Sequence, residues 1–342
     1  MSDSKNVLNR RQIFKAGIAG LGVSTLYGLS SNLSAHSTHP NKIQSKQFHC
    51  DNALPREIWI ATISHEDIWL ETHQEMLNKM LKICKETRAF KPDIVCLPET
   101  FAFANILNKI NLQAMVKFSY QEIMPRIQAF AKTNHCYVIC PTYTQHQNKI
   151  FNAAVCIDRE GEVTGEYQKI LLTPEEINLG IEQGPSTPVI FKTDFGQVGV
   201  QICFDIDSDM GWEQLSKAQT DLVFWVTAFA GGQRLTTRTW QHNYPIVSST
   251  WKGESRICDI AGEVVAATGR WNKNWICSAL NLETMLIPAW PYAEKIPAIQ
   301  QKYGRQIKIT IYHEEEWIKL TSLTPVLKIK DLLTEFNMKT IN

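Results

Sequence analysis

Gln197-Val198-Gly199-Val200-Gln201-Ile202-Cys203-Phe204-Asp205 is the stretch from which the rest of the chain is best read. Its apolar residues alternate. Val198, Val200 and Ile202 are therefore expected on one face of a strand, with Gly199, Gln201 and Cys203 on the other. Cys203 ends the strand, and Phe204-Asp205 begins a turn toward Gly211. A thiol at such an elbow is open from one side, and the next backbone N–H can point at a substrate oxygen. The plainer explanation is a cysteine packed as a small hydrophobe. The strand by itself leaves both open.

Upstream, two more strands end in a reactive side chain. Asp93-Ile-Val-Cys-Leu97 reads as a buried strand halted by Pro98, which turns Glu99 toward the strand ends. Val163-Thr-Gly-Glu-Tyr-Gln-Lys169 places Lys169 on one face with Val163, Gly165 and Tyr167, although a lysine stem can snorkel past apolar neighbours. Thr173-Pro-Glu-Glu-Ile177 follows, with Glu175 and Glu176 at a helix start, where the dipole favours acids. That reading suffices for Glu175. In open α/β sheets, ligands bind in the crevice at the carboxyl ends of the strands.

The surrounding pattern alternates strands with helices. Strands are expected over Glu57–Ile63, 93–97, 137–141, 197–202, 221–227 and 245–250. Helices are expected over 70–90, 123–132, 211–218 and 233–243. Hairpins join 151–157 to 163–169, through Asp158-Arg-Glu-Gly161, and 255–260 to 263–267, through Ala261-Gly262. This order indicates an α/β sandwich with mixed sheets. No internal repeat is visible. The tail from about residue 286 is less regular, with an alternating stretch at 306–312 and a helical one at 327–336. It is expected to cover the domain or to contact another subunit.

Taken together, Pro98-Glu99, Tyr167-Gln-Lys169 and Gly199-Val-Gln-Ile-Cys203-Phe-Asp205 resemble the Glu–Lys–Cys constellation of the nitrilase (carbon–nitrogen hydrolase) superfamily. The resemblance runs from about Glu57 to Leu282. Thr173-Pro-Glu-Glu-Ile-Asn-Leu-Gly-Ile181 looks like the loop carrying a second glutamate, assigned to Glu176. Phe224-Trp-Val-Thr-Ala-Phe-Ala-Gly-Gly232 and His242-Asn-Tyr-Pro-Ile-Val-Ser-Ser249 look like the strands beyond the nucleophile. The chain departs from the pattern at Asp209-Met210, where Pro-Glu is common, and at Gln219-Thr-Asp221, where Gly-Ala-Asp is common. Phe204-Asp205 replaces the Trp-Glu that follows the cysteine in true nitrilases, which leans toward the amidase-like branches.

The resemblance implies a four-layer αββα sandwich that forms a homodimer or higher homo-oligomer. It implies Cys203 as nucleophile and Glu99 as proton shuttle. Lys169 and the Phe204 backbone N–H would hold the oxyanion, and Glu176 would orient Lys169 or the leaving nitrogen. The expected substrate is a small amide or N-carbamoyl compound, with no cofactor and no metal required. A nitrilase or an acyltransferase on the same scaffold, or a catalytically silent binding protein, is the alternative.

Composition narrows the partners. Across 342 residues, 35 Lys and Arg balance 34 Asp and Glu, a net charge of +1, so no general field favours nucleic acid or anionic lipid. No strand–Gly-rich-loop–helix signature for a nucleotide occurs. Near the N-terminus, Asn9-Arg10-Arg11-Gln12-Ile13-Phe14-Lys15 precedes a weakly apolar run over 16–29, shorter than the ~20 residues a membrane span wants. Residues 1–35 thus read as a twin-arginine-type export signal, 36–55 as a polar linker, 56–285 as the hydrolase domain and 286–342 as a C-terminal extension. A basic amphipathic surface helix is the other reading of 1–35. Export implies a periplasmic or secreted protein, with no membrane span after signal cleavage. The nine cysteines include no CxxC pair. Cys96, Cys136, Cys140, Cys156, Cys258 and Cys277 sit in or beside apolar runs and read as reduced packing residues.

Overall fold

The computed structural model describes residues 54–340; the expected export signal, and the linker as far as residue 53, lie outside the described residues. The chain lays down β1 (Glu57–Ile63), β2 (Ile94–Cys96), β3 (Tyr137–His146), β4 (Lys149–Ile157) and β5 (Val163–Gln168). It continues through β6 (Ile190–Lys192), β7 (Gln197–Ile202), β8 (Leu222–Thr227), β9 (Ile246–Thr250), β10 (Arg256–Cys258), β11 (Val264–Ala267) and β12 (Trp275–Asn281). These strands form two six-stranded sheets, ordered β12-β1-β2-β3-β4-β5 and β11-β10-β9-β8-β7-β6.

The two sheets share one pairing pattern. In the first, β1, β2 and β3 are parallel neighbours flanked by antiparallel β12 and β4. In the second, β7, β8 and β9 are parallel neighbours flanked by antiparallel β6 and β10. No sequence repeat announces this likeness, because hydrogen-bond topology constrains residue type only loosely.

Helices cover the outer faces. Residues from α1 (His73–Glu86) and α3 (Met124–Asn134) pack on the first sheet through Met76, Met80, Ile127 and Ala131. Thr72 caps α1 in a reciprocal box with Glu75, satisfying amide groups that a helix start leaves unpaired. The helix expected over 123–132 is longer. It starts with α2 (Leu112–Phe118) and passes through a π turn at Ser119–Ile123 into α3. On the second sheet, α5 (Met210–Lys217) and α6 (Gln233–His242) pack through Trp212, Leu215 and Leu235; the short α4 (Pro174–Leu179) belongs to the site. Gly199 lets α5 approach, since a Cβ there would lie 2.7 Å from a Leu215 methyl.

Between the sheets, Ile60, Ile94, Ile139, Val198, Val200, Phe224 and Val247 form the central apolar layer. The result is the expected αββα sandwich. The sheets are also stitched at their strand ends: Thr62 Oγ1 donates to the Ser248 carbonyl at 2.7 Å and Ser249 Oγ to the Ile63 carbonyl at 2.6 Å.

Two facings differ from simple alternation. Cys203 belongs to the inter-sheet layer with Val200 and Ile202, not to the opposite face, because its backbone turns at φ 46°. Val163 is exposed, not aligned with buried Tyr167, because the β4–β5 register shifts between Cys156 and Ile157 and a bulge resets the side-chain period.

The tail builds a third, three-stranded sheet, β13-β15-β14, from β13 (Thr284–Pro288), β14 (Ile307–Tyr312) and β15 (Trp317–Ser322). With α7 (Ile296–Tyr303) and α8 (Ile329–Glu335) it encloses its own core of Ile287, Ile299, Ile318, Leu320 and Leu332. Leu286 carries that core onto Ile260 and Ala261 at the β10–β11 turn. All eight described cysteines are free; seven are buried and Cys277 is half-buried. No described helix is long and apolar enough to cross a membrane.

Candidate active site

The site is assembled where β2, β5 and β7 end. Glu99 follows β2 by way of Leu97-Pro98, Lys169 is the residue after β5, and Cys203 is the residue after β7. Parallel β2 and β7 bring their carboxyl ends to one end of the sandwich. Antiparallel pairing along β4 places Lys169 beside Asn152, whose carbonyl accepts the Lys169 N–H at 2.9 Å.

Lys169 is the centre of the cluster. Only 1% of it is exposed, yet its Nζ donates to Glu99 Oε1 at 3.0 Å and to Glu176 Oε2 at 2.8 Å. Burial alone would lower its pKa, but Glu99, Cys203 and Glu176 together outweigh that and push it above the usual lysine range. The ammonium is thus held charged in a place that would otherwise discharge it. Asn152 closes the arrangement, donating through Nδ2 to Glu99 Oε1 at 2.8 Å and to Glu176 Oε1 at 2.7 Å.

Glu176 has two tasks. It lies in the first turn of α4, where its Oε2 also accepts the Thr173 N–H at 2.9 Å while Thr173 Oγ1 accepts the Glu176 N–H at 3.3 Å. The reciprocal cap that starts the helix therefore also aims the carboxylate at Lys169. Glu175, in the same turn, is exposed.

Cys203 opens a 3₁₀ turn over Cys203–Asp207. A left-handed backbone on a residue with a Cβ costs about 1–2 kcal/mol, and surrounding bonds hold it there. Trp225 Nε1 donates to the Cys203 carbonyl at 3.0 Å, and Trp212 Nε1 to the Asp205 carbonyl at 3.0 Å. The thiol residue is 8% exposed. Burial and the Glu99 carboxylate raise its pKa to about 12, against the pull of Lys169, the Ala228 N–H and the Thr227 hydroxyl. At neutral pH the sulfur keeps its proton, so a nucleophile must be generated by transfer to a base. Phe204, next in the turn, is half-buried.

The structure therefore brings Glu99, Lys169, Glu176 and Cys203 into one cluster. Sequence reasoning missed Asn152, an ordinary polar residue inside an apolar strand with nothing local to mark it. It also passed over Tyr143, whose hydroxyl bonds to Thr100 and whose pKa is raised by burial and by Glu99 and Glu176. Trp251 Nε1, donating to the Glu99 carbonyl, was missed as well. No group of three or more His, Cys, Asp or Glu side chains is placed to hold a metal among the described residues. A cavity of about 830 Å³ opens at the far ends of the strands, beside Asp221, Tyr244 and Leu282, and none of the four clustered residues lines it.

Fold and site together define an α/β sandwich carrying a thiol, an ammonium and two carboxylates at its strand ends. Residues 60–286 match the carbon-nitrogen hydrolase family, and the chain belongs to it. The fold is similar to that of a carbon-nitrogen hydrolase from Helicobacter pylori G27, with a TM-score of 0.59 at 12% identity over 72% of this chain and 93% of that one. It is also similar to an amidase from Nesterenkonia sp., with a TM-score of 0.55 at 18% identity over 65% of this chain and 90% of that one. In sequence, the chain is 30% identical to a pantetheinase of Canis lupus familiaris over 105 residues, 26% of this chain and 20% of that protein. The matched segments span 20% to 32% of the length of the curated relatives.

Proposed function

We propose that this protein is a cysteine hydrolase that cleaves a non-peptide C–N bond of a small amide or N-carbamoyl compound through a thioester. The observation that carries this reading is the buried Lys169 bridging Glu99 and Glu176 beside a thiol strained into a left-handed elbow. Family membership, with an amidase and a pantetheinase among similar proteins, supports an amide-like substrate.

In this mechanism Glu99 takes the Cys203 proton as sulfur attacks the carbonyl carbon. The C=O electron pair moves onto oxygen, where Lys169 Nζ and the Phe204 N–H receive it; one such donor is typically worth ~10²–10³ in rate. Glu99 passes the proton to nitrogen, the C–N bond breaks and the amine leaves. Water, deprotonated by Glu99, then adds to the thioester and releases the acid and the thiol. Asn152 and Glu176 keep Lys169 and Glu99 in register throughout.

Ammonia or amine release from a panel of amides and N-carbamoyl compounds tests the reading, with matched nitriles beside them. We expect amides to be hydrolysed faster than their nitriles, because Phe204-Asp205 stands where true nitrilases have Trp-Glu. Faster nitrile turnover across several chain lengths would reverse the assignment. The proposal also includes twin-arginine export to the periplasm or exterior, supported by Arg10-Arg11 and the apolar run behind them. Replacing both arginines with lysine keeps the charge but removes the guanidinium geometry. Fractionation should then find the protein in the cytoplasm, and unchanged export sinks this part. A homodimer completes the proposal, and light scattering that returns the monomer mass would remove it.

A further inference from the structure

We infer that Asp205 is a positioning residue that locks the Lys169 segment to the Cys203 elbow through one carboxylate. The inference rests on Cys203 and Lys169 being the reacting pair. Asp205 Oδ1 accepts the Leu171 N–H at 2.7 Å, while Oδ2 accepts the Ile202 N–H at 2.8 Å and the Tyr167 hydroxyl at 2.7 Å. Tyr167 and Leu171 lie two residues either side of Lys169, and Ile202 immediately precedes Cys203. Tyr167 lies on β5, Leu171 in the segment just after it, and Ile202 on β7, so the carboxylate joins strands of different sheets. A single side chain therefore fixes the spacing between the ammonium and the sulfur, and misplacement of a reacting group by about 1 Å can cost ~10² in rate.

The carboxylate is 2% exposed. Burial pushes its pKa up to about 6, against the Leu171, Ile202 and Tyr167 bonds and the Lys169 charge, all of which favour the ionised form. The titratable groups facing it are Tyr167 at the end of β5 and Lys169 just beyond, with Cys203 on its own elbow. As pH falls through about 6 the carboxylate gains a proton, and charge-assisted bonds become neutral ones of roughly half the strength. The clamp then loosens without any change in Cys203 or Lys169 themselves.

Asp205→Asn tests the clamp, because an amide accepts on one side only. Whichever way it turns, either the Leu171 or the Ile202 N–H faces an NH₂ group and loses its acceptor. Tyr167→Phe is the milder variant. It keeps both backbone bonds and removes one donor that favours ionisation, so it should move the titration to higher pH. The probe is iodoacetamide, a small amide-bearing electrophile, with Cys203 alkylation followed by mass mapping. Turnover of the fastest amide in the panel is measured beside it, from pH 5 to 8.

In Asp205→Asn, kcat should fall ~10–100-fold at pH 8 with KM nearly unchanged, and the acid limb near pH 6 should flatten in both readouts. In Tyr167→Phe the limb should shift upward. Wild-type rates in Asp205→Asn overturn the inference. So does an acid limb that stays in place in Tyr167→Phe, which decides the matter even if Asp205→Asn fails to fold. Cys203→Ala in the same turnover assay separates the two levels. An inactive Cys203→Ala with an unperturbed Asp205→Asn sinks only the clamp, whereas a fully active Cys203→Ala sinks the reaction assignment.

Discussion

Among the described residues, two buried lysines each bridge two carboxylates, and Lys169, unlike Lys319, stands beside the Cys203 thiol. Lys169 bonds to Glu99 and Glu176 at the strand ends. Lys319, on β15, bonds to Asp259 and Glu263 at 2.6 Å each and lies 5.5 Å from the Tyr312 ring centre. Both ammonium groups are pushed upward in pKa, because their carboxylates outweigh a larger single penalty from burial. Charge pairing is thus not the mark of a reactive site. What differs is the surroundings. The Glu99 and Glu176 side chains are 5% and 14% exposed and are held by Asn152 and a helix cap, whereas the Glu263 side chain is 54% exposed. In the proposed mechanism the first cluster would hold charge ready for a developing oxyanion, while the second ties the C-terminal sheet to the β10–β11 turn.

Substitutions should separate these two kinds of lysine cluster. Cys203→Ala should give the largest effect, a rate loss of ~10⁴-fold or more with the fold intact, read as product release and as an unchanged circular dichroism spectrum. Lys169→Met should lose at least ~10²–10³ in kcat. It should also cost about 3–5 kcal/mol of stability, because buried Glu99 and part-buried Glu176 lose their cation, measured by denaturant unfolding. Lys319→Met should leave kcat and KM at wild-type values and cost only about 1–3 kcal/mol, since Glu263 can turn to water. A large kcat loss there would break the distinction between the clusters. Glu263→Gln should be smallest, at about 1 kcal/mol or less, and a thermal-melt shift greater than that of Lys319→Met would show the bridge to be apportioned differently.

The Lys169 cluster could be read from the sequence and the Lys319 cluster could not, for a physical reason. Glu99, Lys169 and Cys203 each follow an expected strand, and their order and spacing resemble the Glu–Lys–Cys constellation, so they can be singled out together although no one strand marks them. Lys319 lies within Trp317–Ser322 with no such marker, and its partners are 60 and 56 residues away. Asn152 was equally silent, because its importance comes from reaching across β4 to two distant carboxylates. The facing of Cys203 was misread since alternation assumes an extended backbone, which ends at φ 46°. Val163 was misread for a related reason, the bulge in β5. Local periodicity located the strands and their ends. It could not show where the backbone leaves that period, or which polar groups meet across sheets.

The cap at Thr173 and Glu176 has a consequence for how the site comes into being. α4 has six residues, well short of the ~12–15 at which an isolated helix becomes marginal, so it is held by its ends. Glu176 is one of those ends and Lys169 is its counter-charge. Removing the ammonium should therefore fray the helix as well as strip the cluster of its cation. The amide protons of Ile177 and Gly180, which bond to Thr173 and Ile177 carbonyls, become reporters of a charge buried beyond solvent's reach. Their hydrogen-exchange protection would track the assembly of the cluster without any substrate, so that the folding of one short helix and the placing of its charges are read as a single event.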